Sequence, residues 1–386
     1  MPRLEHLGVA VRDAEAAVAL YERLFGYAPY KREVVEEQGV ETIFLDAGGA
    51  KLELLRATRP DSPVARHLEK RGAGLHHLAF EVRDLRATME HLRSEGFRLL
   101  SDEPRRGADE KLIVFVHPKD TGGVLVEFCQ RTPEPLEPAF APLRGGQIAY
   151  YPGGQAGGPP LVVLHAALGS TELETRRLLP YFDRHFKTIA VDFASHGRSS
   201  AFDREELTLA FFAEAVPAVL DAAGIERAHV FGFSMGGSAA LHLALRHPER
   251  VDRLVVHGMN VQWDAGEVET MTGAMASPLA GDAPRWAERL AETHGDDWQD
   301  LVRRMIAFTE ALPDHYLPDD ELTRIAAPTL VSAGDADRYF RLEHALGLWR
   351  ALPDARLAVH PGLDHPIQGV DPERFAALVT GFLRDV

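Results

Sequence analysis

Residues 4–13 read LEHLGVAVRD and residues 75–84 read LHHLAFEVRD, a repeat at an offset of 71 that places His6 on His77. Each copy has the apolar density of a buried strand. Each continues into an amphipathic helix closed by glycine and an aromatic, AAVALYERLFGY ending at Gly26 and Tyr27, and RATMEHLRSEGF ending at Gly96 and Phe97. Further strand pieces follow, ETIFLDAGG and AKLELL in the first copy, KLIVFVHP and GGVLVEF in the second. The repeat therefore restricts this part of the chain to a duplicated α+β module: strand, helix, then two or three strands.

If the two modules pair about a pseudo-twofold axis, residues at equivalent positions converge. His6 and His77 form one such pair, and Glu53 in KLELL with Glu127 in VLVEF forms a second at an offset of 74. A lone histidine on a strand is ordinarily a packed side chain. Two imidazoles and two carboxylates at repeated positions instead read as a divalent metal site, suited to Mn, Co, Ni, Fe or Zn rather than calcium. Four protein ligands in an octahedral shell leave two positions open. His76 neighbours His77 on the strand, so alternation turns it to the opposite face, as a structural or supporting residue.

The whole of 1–131 resembles the vicinal oxygen chelate superfamily, and within it methylmalonyl-CoA epimerase. The residues that carry the resemblance are HLGVAV, LELL and LHHLAFEV, with EEQGV at 36–40 and HPKDTGGVLVEF at 117–128. It implies paired βαβββ modules and a metal held by His6, Glu53, His77 and Glu127, with two open positions for the thioester and carboxylate oxygens of a malonyl-type substrate. It also implies two glutamates as proton carriers, one at Glu127 and one on the strand after EQGV. Here that strand reads ETIFL, and the aligned position is Thr42; the adjacent Glu41 points to the other face.

The chain of 386 residues is long enough for two domains, and a formal charge of −16 argues against nucleic acid or an anionic membrane as partner. No seven-residue apolar run follows basic residues at the N-terminus and no segment approaches eighteen uninterrupted apolar residues, so the chain reads as cytoplasmic and soluble. Cys129 is the single cysteine, which reads as a core thiol. Residues 132–145, with Pro133, Pro135, Pro138 and Pro142, read as a semi-rigid linker. From 146 to 386 the pattern changes: LVVLH, TIAVDF, AHVFGF, RLVVHG, TLVSAG and RLAVHP are short apolar strands separated by helical stretches, the alternation of a parallel, doubly wound sheet. A longer, mostly helical interruption at about 259–325 is placed as a cap.

In this second half GFSMG matches G-x-S-x-G, after an apolar strand and at the head of a helix, the setting that a strained nucleophilic Ser234 requires. An acid and a base are expected at later strand ends. Asp335 and Asp337 follow PTLVSAG, while His360, Asp364 and His365 lie on or after RLAVHPG. The segment from about 145 onward resembles the α/β-hydrolases through GFSMG, GDADR, PGLDH, VDFASHGRSS and RHPERVDRLVV. That resemblance implies Asp337 as the acid, His365 as the base, Asp192 and His196 as structural residues, and an oxyanion hole from the amides of Met235 and Ala167. Alanine at 166 stands where glycine is usual and carries strain if φ there is positive.

Together these readings describe a bifunctional enzyme, a metal-dependent epimerase-like domain joined to a serine hydrolase of ester or acyl-CoA thioester class. An extradiol-dioxygenase-like or glyoxalase-like domain joined to a carbon–carbon bond hydrolase is the alternative. Against the dioxygenase, Glu53 as a fourth ligand fills a position that oxygen needs. A third reading makes the first domain a non-catalytic ligand-binding module that regulates the hydrolase. A homodimer is compatible with each.

Overall fold

A computed structural model describes residues 2–82, 85–131, 136–202, 207–315 and 317–384. The chain divides into two compact units, Met1–Pro135 and Leu136–Val386.

In the first unit the two modules form one eight-stranded sheet. Their first strands, Arg3–Ala10 and Gly74–Glu81, lie antiparallel at its centre, and each pairs in parallel with the last strand of its own module, Lys51–Ala57 or Leu125–Arg131. The pseudo-twofold axis thus runs between the two histidine-bearing strands. The helix Ala14–Phe25 begins where Asp13 accepts the Ala16 amide at 3.0 Å and ends at Gly26 in the left-handed region. It buries Ala14 and Val18 against Ile43, Leu45, Leu52 and Leu54. In the second module Leu85 and Met89 of the helix Leu85–Ser94 pack on Val114. Because side chains alternate along a strand, packing Leu52 and Leu54 under the helix turns Glu53 to the other face, beside Phe44 of the neighbouring strand.

The second unit also has an eight-stranded sheet. Ala355–His360, Thr329–Gly334, Val251–His257, Ala228–Phe233, Pro160–Leu164 and Lys187–Val191 run parallel in that order, and Gly146–Gly154 and Ala139–Leu143 complete one edge antiparallel. All six apolar segments expected as strands form this parallel core, with one buried cluster on each face. Helices Ala265–Ala280, Pro284–His294 and Trp298–Ala311 fill the interval expected for a cap. Trp263, Trp286 and Trp298 pack against the larger cluster. No described helix is long and apolar enough to cross a membrane.

The expected linker needs correction. Ala139–Leu143 is a strand, joined to Gly146–Gly154 by a turn in which Arg144 and Gly145 both have positive φ. Proline in the run is compatible with a strand here because the strand lies at the sheet edge, where an amide facing solvent has no partner to lose. Pro133 and Pro135 lie outside the described residues.

Candidate active sites

His6 and His77 meet across the central strand pair with their Nε2 atoms 2.8 Å apart. Glu53 Oε2 lies 3.2 Å from Nε2 of His6 and 3.5 Å from that of His77, and Glu127 lies 4.0 and 3.6 Å from the same two atoms. Donors about 2.1 Å from one ion stand roughly 3.0 Å apart in neighbouring octahedral positions, so the spacing and the nitrogen and oxygen donor set fit a transition-metal dication. The approach depends on small residues opposite each imidazole. Gly8 is the cross-strand partner of His77, and a Cβ there would lie 2.3 Å from the imidazole Cε1; Ala79 is the partner of His6.

Each histidine follows a β-bulge. The register skips Glu5 in one strand and His76 in the other, so both break the alternation that would carry them to the opposite face. His6 Nδ1–H donates to Glu5, and Nδ1 of His76 lies 2.9 Å from Nδ1 of His77. Both contacts leave Nε2 for the metal and fix the ring, the usual task of partners behind a metal ligand. The opposite-face placement of His76 is therefore overturned by the bulge. Glu5 is in turn gripped by Lys51 at 2.7 Å and by the buried Lys111.

Burial pushes Glu127 up to about 8. For His6 burial works against protonation, but Glu53, Glu5 and Glu127 outweigh it and raise the imidazole to about 10. His77, buried beside His6, is held well below its ordinary value. Thr42 shares the face of Glu53 but hydrogen-bonds the Glu33 carbonyl at 3.4 Å, whereas Glu41 pairs with Arg56 at 2.5 Å on the other face. Glu33 lies directly opposite Thr42, tied to Lys31 at 2.8 Å and to the Asp109 amide at 2.5 Å.

In the second unit Ser234 sits between the strand Ala228–Phe233 and the helix Met235–Arg246 at φ 51° and ψ −119°. Such a backbone costs on the order of 1–3 kcal/mol and holds only where its surroundings enforce it. The enforcement is steric: a Cβ at Gly232 would lie 2.3 Å from the Gly236 carbonyl, and one at Gly236 2.6 Å from the His165 carbonyl. His365 Nδ1–H donates to Asp337 Oδ2 at 2.9 Å, while Asp337 Oδ1 accepts the Tyr339 and Phe340 amides at 2.9 and 3.0 Å. The competing residues are occupied elsewhere. Asp335 accepts the Gly362 amide, His360 bonds Ser332, and Asp364 pairs with Arg338.

Asp192 accepts from Tyr151, Thr171 and Arg198, and His196 accepts the Leu168 amide, so both shape loops. In the loop after Pro160–Leu164 the Ala166 amide is bound by Glu174 at 2.8 Å and the Leu168 amide by His196 at 3.3 Å; the Ala167 amide between them has no acceptor among the described residues. Positive φ falls on Leu168, at 59°, and not on Ala166. The expected site of strain is thus shifted by two residues. Ser195, at φ 65°, takes a left-handed backbone that glycine adopts more readily.

The family model for the glyoxalase/bleomycin resistance protein/dioxygenase superfamily matches residues 5–115, and that for the alpha/beta hydrolase fold matches residues 159–304. The chain belongs to both families. Its first part is 41% identical over 129 residues to mitochondrial methylmalonyl-CoA epimerase of Homo sapiens, covering 33% of this chain and 73% of that protein. Its second part is 30% identical over 253 residues to the carbamate hydrolase candidate RutD of Caulobacter sp. strain K31, covering 60% of this chain and 93% of that one. A hydrolase from Pseudomonas aeruginosa superposes with a TM-score of 0.54 at 27% identity, covering 64% of this chain and 99% of its own.

The epimerase-like domain yields two expectations. At neutral pH both His6 and Glu127 hold protons that a metal must displace. Uptake of one Co(II) should therefore release close to two protons at pH 7, and affinity should fall steeply as pH drops; calorimetry in buffers of differing ionisation enthalpy reads both. Gly8→Ala should keep the circular dichroism spectrum but weaken Co(II) binding by roughly tenfold or more, because the new methyl displaces the His77 ring.

Proposed function

We propose that the chain is a bifunctional enzyme: a metal-dependent epimerase-like domain acting at the carbon between two carbonyl groups of a malonyl-type acyl-CoA, and a serine hydrolase of ester or thioester class. Convergence of His6, Glu53, His77 and Glu127 on one point carries the first half of this reading. The hydrogen-bonded Asp337–His365 pair, together with Ser234 held at its strained turn, carries the second. An acyl-CoA substrate common to both would give the fusion its reason.

A bound divalent ion supplies Lewis acidity to a carbonyl oxygen, which lowers the cost of ionising the adjacent C–H bond. His6, Glu53, His77 and Glu127 would hold the ion, with Glu5 and His76 fixing the two imidazoles. Glu127, at the same point as the ion, is the group placed to take the proton at its carboxylate. The Thr42 hydroxyl is no base at neutral pH, so one face of the substrate is served by Glu127 and the other by solvent or a more distant group. Exchange of the C2 proton is accordingly expected to outpace inversion.

In the hydrolase domain His365 takes the Ser234 hydroxyl proton as the oxygen attacks the acyl carbon. Asp337 keeps the imidazole in the tautomer that leaves Nε2 free to do so. The amides of Ala167 and Met235, the latter first in its helix where amides have no intrahelical acceptor, receive the developing oxyanion.

Two measurements test the halves separately. Co(II)-loaded Ser234→Ala protein in D2O should incorporate deuterium at C2 of methylmalonyl-CoA, and His77→Ala should abolish it; no exchange with metal bound would leave the domain a binding module. Acyl-CoA and p-nitrophenyl ester hydrolysis should fall by roughly 10³-fold or more in Ser234→Ala, and equal rates would remove the hydrolase reading.

A further inference from the structure

The loop that offers the Ala167 amide is held from an unexpected quarter. Leu168, the next residue, is a non-glycine at φ 59°, and both of its backbone polar groups are claimed by imidazoles. Its amide donates to His196 Nε2 at 3.3 Å. Its carbonyl accepts from His294 Nε2 at 3.0 Å. His294 is the last residue of the cap helix Pro284–His294, and its other ring nitrogen accepts the Gly197 amide at 3.0 Å. An amide can only donate, so Nδ1 is unprotonated and Nε2 carries the hydrogen; the ring is neutral and its tautomer is fixed by the two loops it joins. One cap side chain therefore bridges the loop beside the nucleophile and the loop Asp192–Ser200 shapes. The His196 ring packs edge-on against it at 5.8 Å.

We infer that His294 is a positioning residue for the hydrolase: seating of the cap, through the His294 bridge, sets Leu168 and thereby aims the Ala167 amide at the oxyanion. The inference rests on the serine-hydrolase reading. Alanine-like loss of the bridge would leave a strained left-handed leucine with a free carbonyl, and that residue relaxes by rotating the peptide that carries the neighbouring amides. A displacement of about 1 Å at such a donor lowers turnover by up to roughly 100-fold while ground-state binding, which does not use the donor, changes little. The cap is then part of the machinery for turnover and not only a cover for the acyl group, so an open cap means a disassembled oxyanion hole.

The test uses the full chain and two variants. His294→Phe keeps an aromatic ring against His196 but can neither donate nor accept, and His294→Gln keeps one donor and one acceptor on a similar reach. The readouts are phosphonylation of Ser234 by a fluorophosphonate, kcat and KM on a p-nitrophenyl ester, affinity for a trifluoromethyl ketone that forms a tetrahedral oxyanion, and melting temperature. His294→Phe should lower kcat and trifluoromethyl ketone affinity together, by roughly 10- to 100-fold, with KM within about twofold and melting little changed; His294→Gln should recover most of the loss. Unaltered kcat and ketone affinity in His294→Phe would overturn the inference while wild-type labelling leaves the hydrolase reading standing. A loss in His294→Phe that appears equally in KM and melting, with no recovery in His294→Gln, would overturn it as well, by reducing His294 to a packing residue. Wild-type protein that the fluorophosphonate does not label at Ser234 would overturn the hydrolase reading and the inference with it.

Discussion

The first unit depends on how closely two antiparallel strands can bring two imidazoles. Across Arg3–Ala10 and Gly74–Glu81 the residues facing the rings are Gly8 and Ala79, so each histidine lies over a backbone that offers almost no side chain. Larger residues would push the rings apart and with them the two Nε2 atoms. From that contact the rest follows. The axis between the strands carries the last strand of each module to the flanks, which delivers Glu53 and Glu127 to the same point from either side. The helices take the alternate residues on one face, leaving the other face for charge.

The second unit reaches a comparable end by another route. There the close approach is between backbone and backbone, with Gly232 and Gly236 letting the nucleophile turn press against the strand Pro160–Leu164. Gly258, at φ 54°, passes so close to His365 and Asp337 that a Cβ would touch both. In each unit a functional side chain is fixed because something smaller than usual stands opposite it. The cap is held differently, by side-chain bonds such as those of His294 to the Leu168 carbonyl and of His344 to Glu267.

Much of this was legible in the sequence. A repeat at nearly constant spacing, 71 for the histidines and 74 for the glutamates, carries symmetry, and symmetry brings His6, Glu53, His77 and Glu127 together without any knowledge of distances. GFSMG carried its own context of strand and helix, and Asp337 and His365 sat at the strand ends where the parallel order needs them. What escaped was whatever breaks a local rule. Glu5 and His76 follow the period-2 pattern on paper, and only the bulges turn them toward the rings; their equivalence at the same offset of 71, each just before its histidine, was the available signal. Ala139–Leu143 was hidden by a proline that an edge strand tolerates. His294 had no signal at all, because a single histidine ending a cap helix meets Leu168 through a separation of 126 residues.

The composition of the metal cluster also bears on which ion it accepts. Glu5, His6, Glu53, His77, Lys111 and Glu127 are each no more than 5% exposed, so a net charge left among them is costly. Glu5, Glu53 and Glu127 bring three acids into this interior, and Lys111 and Lys51 meet them at Glu5. A dication held by His6, Glu53, His77 and Glu127 would set two positive charges against the two carboxylates while the imidazoles stay neutral. A monovalent ion would strand a negative charge in the interior, and a trivalent ion a positive one. On the metal reading the four donors thus favour divalent charge, and Glu5 and Lys111 behind them add an ion pair that brings no net charge of its own.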